Sequence, residues 1–174
     1  MRGSTMRHFL SLTLFKLLMV VPTSLWADTP LPVPEGRVIL SVTGKLSQTN
    51  VGDAAVFDAA MLKALGMHTV ATRTPWTEGV SQFSGPLGRD LLEAVGAQGD
   101  SLIVKALNDF VAEIPVSDFT KYDVILAMMR DAKRLTVRDF GPLFILYPFD
   151  QQPELQTEKI RFRSVWQVAS IEIR

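Results

Sequence analysis

Residues 69–79 read Thr-Val-Ala-Thr-Arg-Thr-Pro-Trp-Thr-Glu-Gly, and Arg73, Thr74, Trp76 and Thr77 form the first group in the chain able to do chemistry. An arginine presents a fork of N–H donors to an anionic group, and a tryptophan offers a flat apolar face to a ring. The second group is Arg130, Lys133, Arg134 and Arg138. As function these four would be a wall for anions. As structure they are a charged hairpin moderated by Asp131 and Asp139, and that is the reading expected here.

Other chemistries fail on residue type. Gly79-Val-Ser81-Gln-Phe83 approaches the turn that carries a hydrolase serine, but its last position needs a glycine because the backbone comes too close for a side chain. Gly85-Pro-Leu-Gly88 and Gly96-Ala-Gln-Gly99 lack the glycine spacing and the following Lys-Ser/Thr that wrap a phosphate. The chain has two histidines and no cysteine, and only His68 lies beyond residue 27. A histidine-based metal site needs more. Thiol nucleophiles, redox pairs, haem attachment and thiolate-held metals are all excluded. Asp90 and Glu93 share a helix face, where they read as solvated charges.

The elements that must position these groups follow from local pattern. Arg37–Thr43 is β-branched and stops at Gly44, which predicts a strand. Asp58 caps an apolar run closed by Gly66, which predicts a helix, and residues 68–73 form a second strand. Residues 88–95 carry Leu91, Leu92 and Val95 at helical spacing. Strands are expected at 101–107 and 110–114 around an Asn108-Asp109 turn, at 122–129 and 134–137 around residues 130–133, at 143–147, and at 165–173. Residues 149–158 read as a polar loop. Short helices among six or seven strands give one α+β domain with a mixed, mainly antiparallel, barrel-like core.

With 174 residues, 47% hydrophobic and 21% charged, the chain is long enough for one buried core. Residues 1–27 combine Arg2, Arg7 and Lys16, an apolar run from Phe9 to Val21, and a small-residue exit at Ala27. That is the pattern of an export signal, and the apolar run is shorter than the roughly 20 residues that span a bilayer. A proline-rich leader, 28–36, connects it to a domain at 37–174. The segment carries no acid, so without it the balance of 18 basic and 18 acidic residues becomes mildly acidic. Such a domain has no electrostatic reason to seek nucleic acid, and a periplasmic or secreted location is expected.

The order of pieces is itself informative. Val38-Ile-Leu-Ser-Val-Thr-Gly44, Trp76 with Phe83-Ser-Gly-Pro-Leu-Gly-Arg-Asp-Leu-Leu92, Ala106-Leu-Asn-Asp-Phe110, Ile114-Pro115, Tyr122-Asp-Val-Ile-Leu-Ala127 and Gly141-Pro-Leu-Phe-Ile-Leu-Tyr-Pro148 occur in succession. This set resembles the oxidoreductase molybdopterin-binding domain, the fold of the sulfite oxidase family, over about residues 37–173. More narrowly it resembles the small exported single-domain members.

The resemblance implies a pyranopterin site with molybdenum held partly by a cysteine thiolate, which here should fall within Val70–Thr74. The chain has Val-Ala-Thr-Arg-Thr there. Neither Thr72 nor Thr74 can imitate a soft, readily ionised thiolate. Asn108-Asp109-Phe110 stands where the family often has Asp-Gly-Tyr, and Asp131-Ala132 replaces a usual Asp-Gly or Asn-Gly turn. The resemblance places Arg73, Asn108 and Arg138 near loops that would face a cofactor. With Thr74 and Trp76 they are the expected ligand-binding set, with no catalytic or metal-ligating residue among them. The expected function is therefore an exported, non-catalytic module that binds a small anionic or heterocyclic ligand, with a membrane-bound partner as a further expectation. Two alternatives stand beside it. One is an oxidoreductase holding molybdopterin without a protein thiolate. The other is an interaction protein whose last strand is an exposed edge.

Overall fold

The computed structural model describes residues 30–174. The expected export signal, 1–27, lies outside the described residues. The described part of the leader, residues 30–36, is tied to the domain. The Asn50 side chain donates to the Pro32 carbonyl at 2.7 Å while bonding both backbone groups of Val56. Asp58 Oδ2 accepts from the amides of Glu35 and Gly36, and its Oδ1 accepts from Ala60 and Met61. One buried carboxylate therefore caps a helix and ties down the leader at once.

In chain order come β1 (Leu40–Gly44), β2 (Ala55–Phe57), α1 (Ala59–Ala64), β3 (His68–Thr74), β4 (Thr77–Gly85) and α2 (Gly88–Ala94). They are followed by β5 (Ser101–Ala106), β6 (Val111–Pro115), α3 (Val116–Lys121), β7 (Ile125–Ala127), β8 (Met129–Arg130) and β9 (Lys133–Arg134). A 3-10 turn at Val137–Asp139, then β10 (Phe144–Leu146), a second such turn at Pro153–Leu155, α4 (Glu158–Arg163) and β11 (Val168–Ile173) complete the chain. The fold is α+β, with mostly antiparallel sheets and short helices.

Three sheets form, in the orders β2-β1-β11-β5-β6, β3-β4-β8-β9 and β10-β7. They do not close into a barrel among the described residues, which corrects the barrel-like expectation. Closure would need the edges of the large sheet to find partners. Instead β2 is only three residues long and β6 has α4 packed against it. The last strand is likewise not an edge. β11 lies between β1, which it pairs in parallel with Val42 opposite Ile171, and β5, which it pairs antiparallel. With both neighbours in place its backbone is committed, so it cannot accept a partner strand.

Between the sheets, Phe83, Phe144, Tyr147, Leu126 and Ile125 are fully buried. β4 supplies the closest approach, where a Cβ on Gly85 would collide with the Leu126 carbonyl. Only glycine lets that strand pass β7 so near. Gly79 and Gly85 bracket an alternation in which Ser81 and Phe83 face inward, a strand that the sequence pattern alone does not announce.

The backbone donors hold the Asp58 carboxylate below the ordinary value of 3.8, and burial only partly opposes them. A lowered folded value means a contribution fully present above 3.8 that fades as pH falls through the folded value beneath it. Urea unfolding of Asp58→Asn should therefore show a stability deficit at pH 7 that narrows progressively as pH falls below 3.8. A deficit that widens on acidification would contradict this.

Candidate functional site

The site is built at the tip of the β3–β4 hairpin. Thr74, buried, shares a 2.8 Å hydrogen bond between its hydroxyl and that of Thr77, and accepts from the Trp76 amide at 3.3 Å. These bonds fix the tight turn and set the Trp76 indole against the core. The indole meets Phe144, Phe149 and Trp166 edge-on, with ring centroids 5.8, 6.0 and 5.3 Å away. Edge-to-face pairs at such distances are favourable beyond the area they bury.

β3 is an edge strand of its sheet, and Asp150 covers that edge. Its carboxylate accepts from the Arg73 amide at 2.8 Å and from Arg73 Nε at 3.2 Å. Its own amide donates to Thr72 Oγ1 at 3.1 Å, while the Thr72 hydroxyl donates to the Arg73 carbonyl. The turn after Tyr147 is thereby latched onto β3, and an otherwise open strand edge is closed. Arg73 spends one face of its guanidinium on this latch. Thr72 and Thr74 spend their hydroxyls on neighbouring groups. Where the resemblance calls for a thiolate, the chain thus offers two engaged hydroxyls and no sulfur ligand. The residues present do not fit a thiolate-held molybdenum.

Two concavities meet beside this hairpin. The first, of about 300 Å³, is lined by Trp76, Asn108, Phe110, Glu158, Arg161, Phe162, Ser164, Val165 and Trp166. Phe110 and Phe162 pack edge-to-face at 5.1 Å yet remain 38% and 56% exposed, so the groove has an apolar wall open to solvent. The second, of about 250 Å³, is lined by Arg73, Thr74, Pro75, Phe149, Asp150, Gln156 and Arg161 and is more polar. Arg161 borders both. Among the described residues its side chain makes no ion pair and no hydrogen bond, whereas Arg73 is bound to Asp150. Arg161 is the free cation of the site.

Arg161 stands where it does because α4 is fastened from beneath. Thr157 caps the helix by accepting from the Ile160 amide. At the other end Arg163 Nη1 donates to Asp118 Oδ2 at 2.8 Å, and the Tyr147 hydroxyl donates to the same oxygen at 2.7 Å. Asp118 and Tyr147 are buried and Arg163 nearly so. Burial, then the neighbouring Asp118 carboxylate, pushes the Tyr147 phenol far above its usual range, so it stays a neutral donor. A second tie lies outside it. Lys121 bonds Glu154 and the Tyr122 hydroxyl, each at 2.7 Å, and the pairing raises Lys121 and lowers Glu154.

Of the expected set, Trp76 and Asn108 line the apolar groove, and Arg73 and Thr74 line the polar recess. Asn108 uses its Oδ1 to accept from the Phe110 amide, which shapes the β5–β6 turn. Arg138 lies on the exposed turn at Val137–Asp139 and lines neither concavity. Arg130 is structural, donating to Ser81 Oγ and resting above the Phe83 ring. Sequence reasoning missed α4 and with it Glu158, Arg161 and Phe162. The signal was present: Thr157 as cap, Glu158 in the first turn, and Arg161 and Arg163 in the last.

Removing the carboxylate would leave the Arg163 charge buried and unpaired. Asp118→Ala should cost about 3–5 kcal/mol in urea unfolding at pH 7. Tyr147→Phe should cost about 1.5–3 kcal/mol, since Arg163 still pairs with Asp118. A loss under about 1 kcal/mol for Asp118→Ala would show that α4 is held by other means.

No family model matches the chain, and no curated protein is significantly similar to it.

Proposed function

We propose that this chain is an exported, molybdopterin-oxidoreductase-like domain that works without molybdenum chemistry, as a binding module for a small planar anion. The ring of the ligand lies in the groove between Trp76 and Phe162, and its anionic group meets Arg161. The reading rests on one observation above the others: the single unpaired cation of the site stands where an aromatic groove and a polar recess join. A flat body with a charged end matches that division. Asn108 and Gln156 add polar groups at the two rims. The non-catalytic reading is supported by residue type, because the chain has no cysteine and the hydroxyls of Thr72 and Thr74 are engaged. Export is part of the proposal and rests on the pattern of residues 1–27.

The test uses pterin-6-carboxylate, a flat heterocycle with one carboxylate, against neutral pterin. Calorimetric titration should give one site per chain for the carboxylate. A charge-assisted hydrogen bond is worth about 1.5–3 kcal/mol, so Arg161→Gln should weaken binding roughly tenfold to a hundredfold. Trp76→Leu should weaken it as well, and Arg138→Gln should leave it unchanged. Equal affinity of Arg161→Gln and the unaltered chain for the carboxylate would sink the proposal.

A further inference from the structure

A different concavity, of about 430 Å³, lies at the start of β1, where Arg37–Ser41 faces Arg134–Val137. Its volume falls within the about 300–1,000 Å³ of small-ligand clefts. Leu40 and Leu135 are buried at its base, whereas Val38, Leu107 and Val137 are 45%, 53% and 51% exposed along it. No aromatic residue lines it, which sets it apart from the groove beside Trp76. What it offers is a strip of aliphatic surface in water, of the kind that marks a binding surface.

Its charged residues are Arg37 and Arg134, both exposed and neither in an ion pair or side-chain hydrogen bond among the described residues. The two arginines also border the adjoining recess that contains Glu35 and Asp58. Neither carboxylate pairs with them: both Asp58 oxygens are taken by four backbone amides, and Glu35 makes no ion pair among the described residues. Arg134 belongs to the basic cluster 130–138, whose other members do not line this groove. Two free guanidiniums thus flank an aliphatic strip, and guanidinium geometry suits a carboxylate.

We infer that this groove binds a single-chain amphiphile with an anionic head, a free fatty acid in chemical class. Its hydrocarbon chain lies along Val38, Leu107 and Val137, and its carboxylate is held by Arg37 and Arg134. Aliphatic lining without aromatic rings selects a chain over a flat ring, and the two cations select the sign of the head group. This site is separate from the one beside Trp76 and does not depend on it.

The test is equilibrium dialysis of the full chain with radiolabelled dodecanoate, kept below its micelle concentration. One saturable site per chain is expected. Dodecyltrimethylammonium, with the same tail and the opposite charge, should bind at least about tenfold more weakly. The double variant Arg37→Gln/Arg134→Gln should lose at least about tenfold for dodecanoate. Leu107→Asp, at a position 53% exposed, should lose as much by placing a charge against the tail. Lys159→Gln, at an exposed position that does not line this groove, should leave dodecanoate binding unchanged. Equal binding of the two amphiphiles, several sites per chain insensitive to these variants, or no saturable binding would each overturn the inference. So would cosedimentation with phosphatidylglycerol vesicles without any dodecanoate binding, which would make the face a membrane contact instead.

Discussion

The Asp118 carboxylate, buried between the Tyr147 hydroxyl and the Arg163 guanidinium, is the contact on which the rest of the arrangement depends. It joins three segments far apart in sequence: α3, the strand end after β10, and the end of α4. An ion pair taken out of water is not a strong net stabiliser against an apolar alternative, but breaking one side of it is costly. Its value is therefore positional. It permits one docking of a six-residue helix too short to be stable alone. That docking sets Arg161 and Phe162 over the groove, covers the β6 edge, and carries the chain into Trp166.

Polar residues near the hairpin divide into those that build the site and those left available to a ligand. Arg73, Thr72 and Asp150 form a closed set of bonds, and Thr74 with Thr77 forms another. Each bond made there removes a group from ligand recognition while sharpening the wall it belongs to. Arg161 is the reverse case. Ile160 beside it packs into the core and Arg163 makes the Asp118 tie, whereas the exposed Arg161 borders both concavities. The same contrast separates Arg130, spent on Ser81, from Arg134, which faces the groove at β1.

Much of the fold was legible where one residue type enforces one local geometry. Asp58 and Gly66 bracketed α1, and Asn108-Asp109 gave the β5–β6 turn with Asp109 at positive φ. Of the hairpin expected from 122–129 and 134–137, only the two-residue β8 and β9 pair around Asp131-Ala132, while β7 pairs with β10. What escaped were elements set by tertiary contact. β4 contains glycines that suit a loop until β7 is placed beside it. α3 and α4 are six residues each, less than two helical turns, so their apolar spacing carries little signal. Sheet order was beyond local pattern too: nothing local in 165–173 tells that it runs parallel to β1 in the middle of a sheet. Of the residues lining the apolar groove, Trp76 stood out by its type and Asn108 by the resemblance, while Arg161 lies in 159–164, to which no element was assigned.

The central claim is a binding site that works without a thiolate-held metal. The most direct measurement is of molybdenum and pterin together, by elemental analysis and mass spectrometry, on the protein purified from cells that make the cofactor. The account predicts no stoichiometric molybdenum, whatever small planar molecule accompanies the chain. Molybdenum and pterin at about one each per chain would contradict it and make the chain a cofactor enzyme that needs no cysteine.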